Sequence, residues 1–168
     1  MNINDFINHL VKEFEIQSIL CYGSYAQMLY DDKSDIDLLI LMKHSLPSSV
    51  IRQNCYSKFP NIKIMTLDED LASRWDVSWT PVNDRLMLEK QPIDIGFNTI
   101  SWVEKVIEKL IVENQITFDE FQFRPYTFLG MIESSKILYD ENNFIKKCLS
   151  QIRPMPLKLK NAINLQIN

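Results

Sequence analysis

Two aspartates one residue apart, Asp35 and Asp37, stand at the head of an uninterrupted apolar run, Leu38-Leu39-Ile40-Leu41. Successive side chains of a strand point to opposite faces, so both carboxylates share one face. Like charges held side by side cost free energy unless a cation lies between them. Upstream, a second apolar run, Ile19-Leu20-Cys21-Tyr22, stops at Gly23-Ser24. A Gly-Ser turn between a strand and a helix offers backbone N–H groups and a hydroxyl to a phosphate. Hard divalent cations such as Mg²⁺ take oxygen ligands and keep substrate phosphates in their shell. A phosphate-holding turn followed by a metal-holding strand points to chemistry on a nucleoside triphosphate.

The pattern around this motif predicts mixed strands and helices. Ile3, Phe6, Ile7, Leu10, Val11 and Phe14 recur at helical spacing. Ile16–Tyr22 reads as a first strand, Ser24–Tyr30 as a short helix and Asp35–Met42 as a second strand buried on both faces beyond its acids. A crossing helix follows over Pro47–Phe59, with Ser45 as its cap, then a strand marked by Ile62, Ile64 and Leu67. Asp68–Asp84, with Trp75, Trp79 and Pro81, reads as an excursion. Arg85–Glu89 and Ile93–Phe97 read as strands broken at Gln91-Pro92, and Ser101 caps a helix over Trp102–Val112. After that the chain turns helical, at Pro125–Ser135, Asn143–Ile152 and from Leu157 onward, with a short extended piece at Ile137–Tyr139. The expected organisation is an α/β core over residues 1–115, a central twisted mixed sheet with flanking helices, and a helical C-terminal extension over 116–168.

Composition narrows the class. Eighteen basic against 22 acidic residues give a net charge of −4, which offers no general attraction for nucleic acid. Cys21, Cys55 and Cys148 are far apart and lack metal-ligand spacing, and Cys21 reads as a buried thiol. No run suggests a signal peptide or a membrane span, so a cytoplasmic setting without membrane contact is the expectation.

Gly23-Ser24, the spacer Tyr25–Ser34 and Asp35-x-Asp37 in a strand resemble the signature of the nucleotidyltransferase superfamily related to DNA polymerase beta. The small bacterial aminoglycoside and lincosamide nucleotidyltransferases are the nearest in pattern. The resemblance covers roughly residues 16–97. It implies a third acid in a later strand, which here is Asp94 in Pro92-Ile93-Asp94-Ile95-Gly96. It further implies that Asp35, Asp37 and Asp94 hold two Mg²⁺ ions, or Mn²⁺ in their place, while Gly23 and Ser24 cradle the triphosphate. The implied reaction transfers a nucleoside monophosphate, AMP from ATP by family habit, to an acceptor hydroxyl and releases pyrophosphate. Asp94, or a nearby carboxylate such as Glu89, would take the hydroxyl proton.

The acceptor stays open. An antibiotic is the leading reading on resemblance, and an acidic site suits a cationic aminoglycoside. A protein or an RNA end, as in toxin–antitoxin nucleotidyltransferases, is the alternative. A non-catalytic nucleotide-binding module and a metal-dependent glycosyltransferase are rivals of other classes. The retained acids argue against the first, and the Gly-Ser turn fits the second poorly. The C-terminal stretch is too short for the large second domain of antibiotic-modifying relatives. A shortened chain, a homodimer whose partner completes the acceptor site, and a compact enzyme open to a macromolecule are the three readings. Lys33 and Arg85 read as surface charges, and Trp75, Trp79 and Tyr25 as core aromatics. The Asp68–Asp84 stretch is where base contacts are sought first.

Overall fold

A computed structural model describes residues 3–26, 34–68, 79–116 and 125–167. Its elements follow the chain as α1 (Ile3–Glu13), β1 (Ile16–Tyr22), α2 (Gly23–Ala26), β2 (Ile36–Met42), α3 (Ser49–Ser57), β3 (Ile62–Leu67), β4 (Val82–Leu88), β5 (Gln91–Thr99), α4 (Ile100–Ile107), α5 (Tyr126–Ser134), β6 (Lys136–Asp140), α6 (Phe144–Ile152) and α7 (Leu157–Ile167). A π-helical turn, Glu108–Val112, continues α4. Among the described residues the strands form one sheet in the order β3-β4-β5-β2-β1-β6. β2 and β5 run parallel at its centre, and every other neighbouring pair is antiparallel. This is the mixed α/β architecture expected from the sequence.

Alternation along the central strands feeds two cores. Ile36, Leu38, Ile40 and Met42 of β2 face α1 and α3, where Phe6, Leu10, Cys55 and Tyr56 are buried with them. Leu39 and Leu41 point the other way, onto Trp102, Val106, Phe128, Ile132 and Ile145 of α4, α5 and α6. Asp37 is the one residue of β2 that is not fully buried. It lies on the second face, beyond the end of the helical cover, so the sheet itself presents it.

The stretch after residue 115 is more than helices. Lys136–Asp140 pairs antiparallel with β1 and forms one edge of the sheet, and among the described residues α5 and α6 supply seven of the sixteen buried residues of the second core. Asp140 links the two: Ser18 Oγ donates to its Oδ1 at 2.8 Å, as does Ile145 N–H at 3.0 Å from the start of α6. All three cysteines are free and buried. No helix among the described residues is long and apolar enough to cross a membrane.

Several boundaries move, for local reasons. The cap of α3 is Ser48, whose hydroxyl accepts from Ile51 N–H, and not Ser45. Thr99, not Ser101, caps α4, because its hydroxyl accepts from Trp102 N–H. The β4–β5 turn falls at Glu89, which takes a left-handed φ of 57°, and Pro92 lies inside β5. Pairing with β2 begins only at Ile93, so the N–H that Pro92 lacks is not needed on that side. β4 starts three residues before Arg85, at Val82.

Candidate active site

Strand register builds the site. Across the sheet, Tyr22 of β1 pairs with Asp37 of β2, Asp37 with Asp94 of β5, Asp94 with Arg85 of β4, and Arg85 with Thr66 of β3. Partners in register put their side chains on the same face, so one polar row crosses five strands at one end of the sheet. A cavity of about 390 Å³ opens over this row, lined by Tyr22, Asp37, Thr66, Asp68, Asn83, Asp84, Arg85 and Asp94. A larger apolar groove lies elsewhere, between α4 and α6. It holds none of the row.

The expected turn sits against the expected acid. Gly23 ends β1 with φ +72°, and a Cβ built there would lie 2.3 Å from Asp37 Oδ2. Two requirements thus coincide on one residue: a left-handed backbone and room for a carboxylate. Ser24 follows in α2 and is exposed. Gly23→Ala is therefore expected to cost about 1–3 kcal/mol in urea unfolding. Gly130→Ala, inside α5 with nothing within 4 Å of the added methyl, is expected to gain about 0.5–1 kcal/mol. A Gly23 variant as stable as the parent would show that the turn tolerates a side chain.

Asp37 and Asp94 stand side by side in adjacent parallel strands. Burial, then Asp94, then Asp35 push the Asp37 carboxyl above the usual aspartate range, against the pull of Arg85. Burial also raises Asp94, with Arg85 opposing and Asp35 adding to the rise. Tyr22 is pushed up to about 12, by burial first and then by Asp37 and Asp94. Among the described residues Asp94 Oδ1 is buried and makes no hydrogen bond. The nearest cation to it is Arg85 Nε at 3.2 Å, an ion pair without hydrogen-bond geometry. Asp35 lies just ahead of β2 and receives a short hydrogen bond from Arg85 Nη2 on its Oδ2. Gln91 Nε2 donates to Ser34 O at 2.7 Å and fixes the approach of this segment to β5.

The oxygen donors, the repulsion that raises both carboxyls and the orphaned Asp94 oxygen all fit a hard divalent cation. As the side chains stand, no three acids among the described residues converge on one point, and Asp35 is paired with Arg85. Arg85 is thus a member of the site rather than the plain surface charge expected from sequence. Tyr22 and Thr66 were not anticipated, whereas Asp68, Asn83 and Asp84 belong to the Asp68–Asp84 stretch where base contacts are sought. The one signal for Tyr22 was its place two residues after Leu20, on the face that Asp37 shares. Glu89 sits exposed in the β4–β5 turn and does not line the cavity. Trp79 packs against Phe128, ring centroids 6.4 Å apart, within the second core. Trp75 and Lys33, and most of the stretch where base contacts were expected, lie outside the described residues.

Comparison with known proteins bears on the same segment. Residues 4–78 match the family model described as Polymerase beta, Nucleotidyltransferase. The match takes in Gly23, Ser24, Asp35 and Asp37; Asp94 lies past its end. No curated protein matches the chain. Solved structures similar to it include a toxin–antitoxin with AMP-PNP, at 17% identity and a TM-score of 0.46, with both chains covered in full. Two variants of the toxin–antitoxin MntA–HpeT are similar at 16% identity, with TM-scores of 0.44 and 0.45; each covers 100% of this chain, and 100% and 99% of those chains are covered. The Gly-Ser turn and both aspartates of the motif lie inside the matched stretch, so residues 4–78 are similar to the nucleotidyltransferase domain of the polymerase beta family.

Proposed function

We propose that the chain transfers a nucleoside monophosphate from a nucleoside triphosphate, ATP in the first instance, to an acceptor hydroxyl. The observation that carries the reading is the in-register Asp37–Asp94 pair packed beside the Gly23 turn. Asp35, Asp37 and Asp94 would hold Mg²⁺, with Mn²⁺ able to replace it. Ions held by these residues would supply the positive charge that an in-line displacement at phosphorus requires. Gly23 and the exposed Ser24 face the β and γ phosphates. The acceptor oxygen forms a bond to the α-phosphorus, the bond to the bridging oxygen breaks, and pyrophosphate leaves. Asp94, or a nearby carboxylate, is the candidate to take the hydroxyl proton.

Calorimetry with Mg²⁺ and a non-hydrolysable ATP analogue tests the donor half. Binding that requires Mg²⁺ is expected, and a folded protein that binds none of the four nucleotides would overturn the enzyme reading. The raised carboxyls add a pH signature. A carboxyl raised in the fold binds protons the unfolded chain has released. In metal-free protein, Asp37 and Asp94 therefore lose stability as pH rises from the ordinary aspartate value of about 3.9 through their raised values. Protons and Mg²⁺ compete for the same oxygens. The rise in Tm on adding Mg²⁺ is expected to be small at acid pH and to grow toward neutrality; a pH-independent rise would remove these two acids from the binding site.

The acceptor is decided by labelled ATP offered to an antibiotic panel, to protein extract and to RNA side by side. Label on an aminoglycoside supports the small-molecule reading. Label on protein or RNA supports the toxin–antitoxin type.

A further inference from the structure

Arg85 is placed where a metal-binding site needs no arginine. It stands opposite Asp94 in the β4–β5 register. Its Nη2 donates to Asp35 and its Nε lies 3.2 Å from Asp94 Oδ1. One guanidinium thus spans the first and third acids of the motif, while Asp37 feels its charge without a hydrogen bond to it. A guanidinium forks naturally between two carboxylates and is charged at every accessible pH. Its side chain is 51% exposed, so it can swing into water without opening the core.

Two observations bear on what this cation does. As placed, the acids do not converge on one point among the described residues. Asp35 is paired with Arg85 instead. Nor does the guanidinium satisfy the cluster, because Asp94 Oδ1 is left without a hydrogen bond. A monovalent cation therefore sits loosely in the space between carboxylates that a divalent cation would fill better. A divalent cation drawn to Asp35 Oδ2 and Asp94 Oδ1 would meet the guanidinium already there, and the two repel each other.

We propose that Arg85 is the resident counter-ion of the metal-free site and competes with the divalent cation for Asp35 and Asp94. Metal binding is an exchange: the guanidinium leaves toward solvent, Asp35 turns back toward Asp37, and the three-acid set forms. Ion pairs this exposed are weak, so the exchange is easily driven, but it lowers the affinity for metal. Its benefit is that the acids never face one another without a cation. The proposal rests on the reading of Asp35, Asp37 and Asp94 as metal ligands.

The test is Mn²⁺ binding to nucleotide-free protein, followed by the paramagnetic resonance of free Mn²⁺, in the parent, Arg85→Gln, Arg85→Lys and Asp37→Asn. Arg85→Gln is expected to bind Mn²⁺ about three- to tenfold more tightly than the parent. Arg85→Lys, which keeps the charge but not the fork, should fall between them. Asp37→Asn should lose binding in both backgrounds. Circular dichroism melts check that the exposed substitution leaves the fold intact. Unchanged or weaker Mn²⁺ binding in Arg85→Gln, with Asp37→Asn still abolishing it, overturns the competition and leaves the metal site standing. Absence of Mn²⁺ binding in Arg85→Gln, or binding indifferent to Asp37→Asn, overturns the metal-ligand reading and the competition with it.

Discussion

Asp37→Asn is expected to reduce nucleotidyl transfer by about a thousandfold or more while making the metal-free protein more stable. The loss follows from the place of Asp37 in the row: between Tyr22 and Asp94, with Oδ2 against the Gly23 turn. Removing one preorganised charge aimed at the reacting centre typically costs a hundred- to a thousandfold, and on the proposed reading it also removes a metal ligand. The gain has a separate cause. The Asp37 carboxyl is raised first by burial, then by Asp94 and by Asp35. A neutral amide of the same shape relieves both the desolvation and the repulsion. The expected result is a higher Tm than the parent in chelator and a Tm that no longer responds to Mg²⁺. Thermal melts with and without Mg²⁺, run beside a transfer assay, read both halves. A variant less stable than the parent in chelator would mean that Asp37 is satisfied by the fold and is not held in readiness for a cation.

That opposition between function and stability explains why part of the site could be read from the sequence. Asp35-x-Asp37 ahead of Leu38–Leu41 is a conflict at the local level, two like charges where a strand wants apolar residues, and such conflicts mark sites. Asp94 came instead through the resemblance, which implies a third acid in a later strand. Gly23 was legible because a sheet strand seldom stops at Gly-Ser without a turn. β1 and β2 were found almost to the residue, since runs buried on both faces have little freedom of register. Arg85 was not legible. A charged residue in an alternating strand is ordinarily solvated, and only the β4–β5 pairing, a long-range fact, puts it across from Asp94. Arg52 gave no signal in the sequence, yet its side chain is fully buried. Capping by Thr99 in place of Ser101 turned on where β5 ended, which periodicity fixes only loosely.

Arg52→Met is expected to destabilise the protein by about 3–5 kcal/mol, the largest stability effect of any single substitution considered. Arg52 and Asp84 are both 0% exposed in their side chains, with Nε 2.8 Å from Oδ2. Nη2 also reaches Asp84 Oδ1 at 3.3 Å and donates to Asp68 O, and Nη1 donates to Pro47 O at 2.5 Å. Asp84 in turn accepts from Tyr56 Oη at 2.7 Å and from Asp68 N–H at 3.1 Å. The guanidinium lies 5.7 Å from the centre of the Phe97 ring. Truncation strands a buried carboxylate and two carbonyls, which costs far more than the pair contributes relative to an apolar replacement. Arg52→Met/Asp84→Asn should therefore recover part of the loss, because the amide still accepts from Tyr56 and carries no charge. The consequence reaches the site, since Asp84 precedes Arg85 on β4 and tethers both the N–H of Asp68 and, through Arg52, its carbonyl. Urea unfolding of the two variants, with Mg²⁺-dependent nucleotide binding measured on whatever remains folded, checks the argument. A single variant that loses less than about 1 kcal/mol would show that water reaches the pair, and with it that the end of β3 is held by something other than this buried charge.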